Sequence, residues 1–254
     1  MFNPWVLALL FIALAGLAAL ALVTYHKVQR IHLASYQLVE ESSETHRETL
    51  ALFGQLQALG ALERQLQLGK SLPNMRGWAG SPDFLLAVAE EIKSARPTAV
   101  LECSSGVSTV VAARCMQQNG HGHVYSLENA PEFADKTRQL LQRYGLEEWA
   151  TVIDAPLTSA SGDAPWYSLE AVPAELPPID VLVVDGPPAT TAPLARYPAL
   201  PRLAARLARS CVVFLDDASR DPERQTVARW TSEFPGFKAT IMPCEKGLAV
   251  LRRA

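Results

Sequence analysis

Acidic residues recur along the later part of the chain at Glu102, Glu128, Asp154, Asp185 and Asp216-Asp217. Each closes a short apolar run. Exposed acids usually lie on helix faces, so a series of carboxylates at strand tips calls for a shared ligand. Such oxygens suit hydroxyl groups, a cationic ligand or a divalent metal. Glu102 leads into Cys103-Ser104-Ser105-Gly106-Val107-Ser108-Thr109, and Val110–Ala113 can then open a helix. That order predicts a strand, a tight small-residue turn and a helix whose first N–H groups point at the turn. A ligand can approach such a backbone closely, and polar or anionic groups are favoured there. Taken alone, the turn is equally well a plain connection. The later acids give it meaning. Glu128 stands 26 residues beyond Glu102, where an acid can hold ribose hydroxyls.

These acids must be carried by strands of one sheet. Apolar runs predict strands over Thr98–Cys103, His123–Leu127, Ala150–Ile153, Ile179–Val184 and Cys211–Leu215. Helices are expected at Ser108–Asn119, Pro131–Tyr144, Leu200–Ala208 and Pro222–Phe234, and another after Ser81-Pro82-Asp83, where a hydroxyl, a proline and an acid make a good start. Alternating strands and helices imply a parallel sheet covered on both faces, an α/β three-layer sandwich. Phe237–Met242 and Gly247–Leu251, joined by a short turn, add an antiparallel hairpin. Ligands of such sheets bind at the carboxyl ends of the strands, near the point where strand order reverses. Residues 156–178 form a Pro/Ala/Ser-rich loop of lid length carrying Trp166 and Tyr167.

Ahead of this domain, Trp5–Val23 runs 19 residues without a charge, about 28 Å as a helix, which is enough to cross a bilayer. No Lys or Arg precedes it, while Lys27 and Arg30 follow, favouring a retained single-pass anchor over a cleaved signal peptide, with the rest of the chain on the cytoplasmic side of the inner membrane. Ile31, Leu38, Leu52, Leu59 and Leu66 then fall on a seven-residue spacing broken by Thr45. This stripe reads either as a self-associating coiled-coil stalk or as an amphipathic helix against the domain or membrane surface. The expected organisation is an anchor over 1–24, a stalk over 25–70 and a catalytic domain over 71–254. A length of 254 residues accommodates it, and a net charge of −3 gives no reason to expect nucleic acid as a partner. Cys103, Cys115, Cys211 and Cys244 form no Cys-x-x-Cys pair and read as free thiols in a reducing compartment.

The motifs Glu102-Cys-Ser-Ser-Gly106, Glu128, Asp154-Ala155 and Asp185-Gly-Pro-Pro188, with the closing hairpin, resemble those of class I S-adenosylmethionine-dependent methyltransferases. Arg196-Tyr-Pro-Ala-Leu-Pro201 and Leu215-Asp-Asp-Ala-Ser-Arg220 are similar to a bacterial branch that methylates small molecules. The resemblance spans about residues 73–253 and implies a Rossmann-like methyltransferase domain. Ser104 stands where the family commonly has glycine, and it fits if its backbone needs no positive φ. The resemblance implies that Glu102, Ser104, Ser105, Gly106 and Ser108 wall the methionine part of the cofactor. It further implies that Glu128 binds the ribose, that Asp154 and Ala155 lie at the adenine, and that Asp185 faces the transferred methyl. Asp185, Asp216 and Arg220 are the candidate catalytic residues. Catechol-type relatives hold a divalent metal at these strand ends, which makes Asp185, Asp216 and Asp217 candidate ligands for Mg²⁺ or another divalent cation. The lysine those enzymes carry after the fourth-strand acid is absent from Gly186–Thr191. Trp166, Tyr167 and Tyr197 are candidates for the acceptor pocket. The leading expectation is methyl transfer to a small-molecule or envelope-related acceptor, at oxygen, near the membrane, with the stalk open to homo-oligomer formation. A non-catalytic cofactor-binding scaffold is the alternative. An NAD-binding oxidoreductase is the weaker one, because Gly106 stands alone where a pyrophosphate wants Gly-x-Gly-x-x-Gly.

Overall fold

The computed structural model describes residues 4–75, 79–159 and 164–253. Residues 76–78 of the predicted linker and 160–163 of the predicted lid lie outside the described residues. The chain divides into two compact units, Met1–Phe53 and Gly54–Ala254.

A single helix, α1 (Pro4–Leu66), carries the apolar N-terminal stretch without interruption into the predicted stalk. Pro4 is tolerated at a first turn, and no later proline breaks the run. Within it, Leu9–Tyr36 is long and apolar enough to cross a membrane by length and composition, and this segment is exposed. The predicted seven-residue seam does not continue as one exposed stripe. Ile31, Leu38 and Leu52 are exposed, whereas Ala58, Leu62 and Leu66, spaced by four, are buried in the core of the second unit. The end of α1 is closed by side chains of a neighbouring helix. Arg114 Nε donates to the Leu66 carbonyl at 2.7 Å, and Gln118 Nε2 donates to those of Gln65 and Leu66 at 3.0 and 2.8 Å. These satisfy carbonyls that a helix end leaves without internal partners.

The second unit holds α2 (Pro82–Ala95), β1 (Ala99–Cys103), α3 (Val107–Asn119), β2 (His123–Glu128), α4 (Pro131–Tyr144) and β3 (Ala150–Asp154). After these come β4 (Leu157–Thr158), β5 (Trp166–Tyr167), β6 (Ile179–Val184), α5 (Ala199–Leu203), β7 (Leu207–Leu215), α6 (Asp221–Glu233), β8 (Phe237–Met242) and β9 (Leu248–Arg253). Seven strands form one sheet in the order β3-β2-β1-β6-β7-β9-β8, parallel except where β9 runs antiparallel to both β7 and β8. Alternate strand residues feed two cores. Val100, Val124, Val181 and Phe214 pack with Leu62, Phe84, Ile92 and Val110 on one face. Leu101, Leu127, Leu182 and Val213 pack with Trp166, Leu200 and Trp230 on the other. This is the expected three-layer sandwich.

Three local expectations are corrected. Ser81 precedes α2, yet its hydroxyl makes no capping bond. Asp83 Oδ1 instead accepts from Phe84 N at 2.9 Å, while Gln55 bonds the other carboxylate oxygen at 2.7 Å. The helix expected over Leu200–Ala208 is shorter, because Leu207 already pairs with Ile179 and starts β7. The loop over 156–178 contains a short antiparallel pair, Leu157–Tyr167 and Thr158–Trp166. It buries both aromatic residues under the sheet.

Candidate active site

Strand order reverses between β1 and β6, and the site forms there. Backbone hydrogen bonds fix the strand ends in a row: Ser104 N to Leu127 O at 3.0 Å, Ala155 N to Glu128 O at 2.7 Å, Asp185 N to Cys103 O at 3.2 Å and Asp216 N to Val184 O at 3.1 Å. Rigid strands therefore set the positions of the acids that follow them. Beside this row lies a cavity of about 580 Å³, whose wall includes Ser104–Ser108, Glu128–Ala130, Tyr167 and Asp185–Gly186. Face residues of α4, namely Phe133, Lys136, Thr137 and Leu140, complete it.

The turn after β1 is strained. Gly106 has φ +145°, a region open to glycine, and Ser104 has φ +138°, where a side chain is disfavoured. The condition on which serine would fit here in place of glycine, a backbone without positive φ, is thus not met. Its hydroxyl is also buried without a partner among the described residues. Replacing Ser104 with glycine is expected to stabilise the fold by about 1 kcal/mol, the relieved strain exceeding the added chain entropy. Thermal unfolding of S104G should show a higher midpoint, and a lower one would overturn this account of the turn.

Two carboxylates after β1 and β2 behave differently. Glu102 is buried, and its Oε2 accepts from Thr109 Oγ1 at 2.6 Å and Ser126 Oγ at 2.7 Å. Burial pushes its pKa up. It anchors α3 to β1 and is not in the cavity wall. Glu128 is in the wall. Its Oε2 accepts from Ser105 Oγ at 2.8 Å and its Oε1 from Ala130 N at 3.0 Å. A carboxylate has about four acceptor positions, so capacity is left for a ligand. Asp154 pairs with Arg138 at 2.7 Å on the protein surface, and neither it nor the buried Ala155 lines the cavity. Phe133, Lys136, Thr137 and Leu140 were missed from sequence. Their three- and four-residue spacing on α4 was the available signal.

Ligand oxygens of Asp185, Asp216 and Asp217 lie within 4.8 Å of one another. Arg196 reaches into this cluster, its Nη2 2.7 Å from Asp217 Oδ2 and 3.2 Å from Asp185 Oδ1, and its Nη1 donates to the Asp216 carbonyl at 2.9 Å. Arg220 Nη1 approaches Asp217 Oδ2 at 2.9 Å from the half-exposed side. Burial raises the Asp185 pKa to about 8, against the lowering effect of the Arg196 charge, with Asp216 and Asp217 pushing it further up. Asp216 is raised to about 6, again mainly by burial. Both carboxylate oxygens of Asp216 and Oδ1 of Asp217 are buried without partners among the described residues. Of the three aromatic candidates, Tyr167 lines the cavity and Trp166 lies in the core beneath it. Tyr197 turns to α6, bonding Glu233 and lying under Arg229. Gly186 allows this close packing, since a Cβ there would collide with the Tyr167 hydroxyl and lie 3.1 Å from Cys103 O. Cys103, Cys115 and Cys211 are buried and Cys244 is half-buried, each as a free thiol.

Residues 101–218 match the family model described as a methyltransferase domain. The match runs from Leu101, within β1, past the Asp216-Asp217 pair, and so takes in every acid at the strand ends. Solved structures share the fold of the seven-stranded domain. One is the cofactor-bound Rv0187 protein from MTB, 23% identical, covering 80% of this chain and 89% of that one at a TM-score of 0.53. A second is the O-methyltransferase from Bacillus cereus in complex with SAH, 22% identical over 78% and 91% of the two chains at 0.53. A third is the O-methyltransferase TomG from Streptomyces achromogenes, involved in tomaymycin synthesis and in complex with SAM, 15% identical over 78% and 89% at 0.52. A search of curated proteins returns no match.

Proposed function

We propose that the methyltransferase domain transfers a methyl group from S-adenosylmethionine to a hydroxyl oxygen of a small-molecule acceptor. Asp185 carries this reading: it ends the strand at the reversal point and borders the 580 Å³ cavity. Pockets of roughly 300–1,000 Å³ suit ligands of cofactor size. When bound, S-adenosylmethionine supplies an electrophilic methyl on a cationic sulfonium. The Ser104 hydroxyl, without a partner among the described residues, offers a polar contact, and Glu128 offers an acceptor for ribose hydroxyls. Glu128 and Asp185, the carboxylates of the cavity wall, suit a cation, and positioning supplies much of the rate in an in-line displacement. Asp185 takes the hydroxyl proton as base, for which a pKa near 8 is well matched to neutral conditions.

A divalent cation fits the donor set of Asp185, Asp216 and Asp217, whose buried, unpartnered oxygens call for positive charge beyond Arg196. There it would lower the pKa of an acceptor hydroxyl and hold it in place. Turnover is expected to fall on treatment with a chelator and to return with Mg²⁺; an unchanged rate would remove the metal from this reading.

The apolar run Trp5–Val23, within a helix long enough to cross a membrane, and the Lys27 and Arg30 that follow it support a single-pass anchor that holds the domain at the cytoplasmic face of the membrane, with an envelope-related compound as one class of acceptor. The organisation into anchor (1–24), helical stalk (25–70) and catalytic domain (71–254) belongs to the same proposal. Calorimetry on the full chain in detergent should show binding of S-adenosylhomocysteine and none of NAD, and NAD binding alone would overturn the proposal. Cofactor binding without turnover on any acceptor would instead favour a scaffold. Glu128→Ala is expected to weaken S-adenosylhomocysteine about 10- to 100-fold, the loss of charge-assisted bonds to two hydroxyls. An unchanged affinity would remove the ribose role of Glu128.

A further inference from the structure

Tyr167 is 1% exposed, yet it lines the 580 Å³ cavity, and its hydroxyl has no hydrogen-bond partner among the described residues. A buried polar group without a partner is costly, and a ligand that fills the cavity can supply the missing contact. The ring is fixed. Tyr167 pairs with Leu157 across the β4–β5 ribbon, and Ser168 N donates to Pro156 O at 3.0 Å just beyond it. Its ring stands edge-on to the buried Trp166, with centroids 5.5 Å apart. The place of the hydroxyl follows from the sheet order. Because β1 runs between β2 and β6, the end of β1 falls between Glu128 and Asp185. A Cβ built on Gly186 would lie 2.3 Å from Tyr167 Oη, 3.1 Å from Cys103 O and 3.4 Å from Ser104 Cβ. The hydroxyl therefore lies over the end of β1, between the acid read as the ribose ligand and the acid read as the base. In S-adenosylmethionine one methylene separates the ribose from the sulfur that bears the methyl. A cofactor with its ribose at Glu128 and its methyl towards Asp185 thus turns its sulfur to Tyr167.

We infer that the Tyr167 hydroxyl oxygen faces the methylsulfonium of the cofactor and is the group by which the chain tells S-adenosylmethionine from S-adenosylhomocysteine. The inference rests on the methyl-transfer reading. It moves Tyr167 from the acceptor pocket expected from sequence to the cofactor end of the cavity. Positive charge on sulfur polarises the methyl C–H bonds, and the lone pairs of a nearby oxygen accept them as weak hydrogen bonds. A phenol keeps its proton well above neutral pH. It therefore attracts the methyl without competing for it as a nucleophile, which an ionised carboxylate at the same place would do.

The test is calorimetric titration of the full chain in detergent micelles, and it needs no acceptor. The ligands are S-adenosylmethionine, S-adenosylhomocysteine, which lacks the methyl and the charge, and sinefungin, which carries an ammonium in place of the methylsulfonium. Tyr167→Phe removes the oxygen and keeps the ring, so packing and any attraction of the cation to the ring face are retained. Y167F should bind S-adenosylmethionine about threefold to tenfold less tightly than wild type, and sinefungin about tenfold or more less tightly, with S-adenosylhomocysteine within about twofold. An equal loss for all three ligands, or no loss for any, would overturn the inference while leaving the cofactor reading in place. A wild-type chain that does not bind S-adenosylhomocysteine overturns both. A second measurement stands without the variant. The methyl protons of carbon-13-labelled S-adenosylmethionine bound to the wild-type chain should resonate downfield of the free cofactor, as C–H···O contacts require, and in Y167F they should return towards the free position. A bound methyl at or upfield of its free position overturns the inference even where Y167F does not fold.

Discussion

Asp185→Asn is expected to lower kcat by about 10²- to 10⁴-fold while leaving S-adenosylhomocysteine affinity within about twofold, because the amide keeps the shape of the cavity wall but cannot accept the acceptor's proton. The wild-type rate should rise with pH through about 8, as the raised carboxyl of Asp185 ionises, and the residual rate of the variant should lose that step. Stability moves in the opposite sense. A carboxyl whose folded pKa lies near 8, above its ordinary value of 3.8, favours folding below pH 3.8, and that contribution is lost as pH rises towards 8. The neutral amide has no such penalty. D185N should therefore unfold at a higher temperature than wild type near pH 8, by about 1 kcal/mol or roughly 2–4 °C, and the gap should close towards pH 4. Slower catalysis without the pH-dependent gain would place Asp185 in solvent and remove the buried-base account.

Trading stability for a poised charge is common at functional sites, and it explains which parts of this molecule could be read from sequence. The strands from Ala99 to Leu215 and the closing hairpin were legible because buried parallel strands are near-continuous runs of Val, Leu and Ile. Asp185 and Glu128 were legible because an acid at the tip of such a run has few structural reasons to be there. Glu102 fits the same pattern, yet it turns inward to Thr109 and Ser126. Strand position alone does not fix a side chain's direction. Tyr197 was misassigned for a related reason: its ring faces Arg229 and Glu233, more than thirty residues later in the chain, and no local spacing reveals such a partner. The end of α1 was ambiguous because Leu59, Leu62 and Leu66 serve a coiled coil and a docked helix equally well. Arg114 and Gln118, which close that helix, lie about fifty residues away. In the sequence Arg196 stands only as the first residue of the Arg196–Pro201 motif. Its place between Asp185 and Asp217 is a tertiary fact.

Arg196 is the residue on which the acid cluster depends most. Arg196→Met keeps much of the volume but withdraws the buried charge facing Asp185, Asp217 and, at 3.9 Å, Glu223. It also leaves the Asp216 carbonyl without its donor. Breaking a buried pair on one side costs about 3–5 kcal/mol, because the charge left behind is desolvated, and of the acids that Arg196 contacts Asp217 keeps a partner in Arg220. The loss should depend on pH in a definite direction. Without the guanidinium the folded pKa values of Asp185 and Asp216 rise above their present values of about 8 and about 6. Carboxyls raised in this way are tolerated when protonated and destabilise as they are forced to ionise. The deficit of R196M should therefore be largest at pH 8 and shrink as pH falls below about 6, readable as the difference in unfolding midpoint from wild type across that range. Arg196→Lys retains the charge but not the fork that reaches two acids and a carbonyl at once, so it should recover only part of the loss. A deficit in R196M that does not vary with pH would mean that Arg196 matters for its packing. The electrostatic account of Asp185 as a base held by this arginine would then fail.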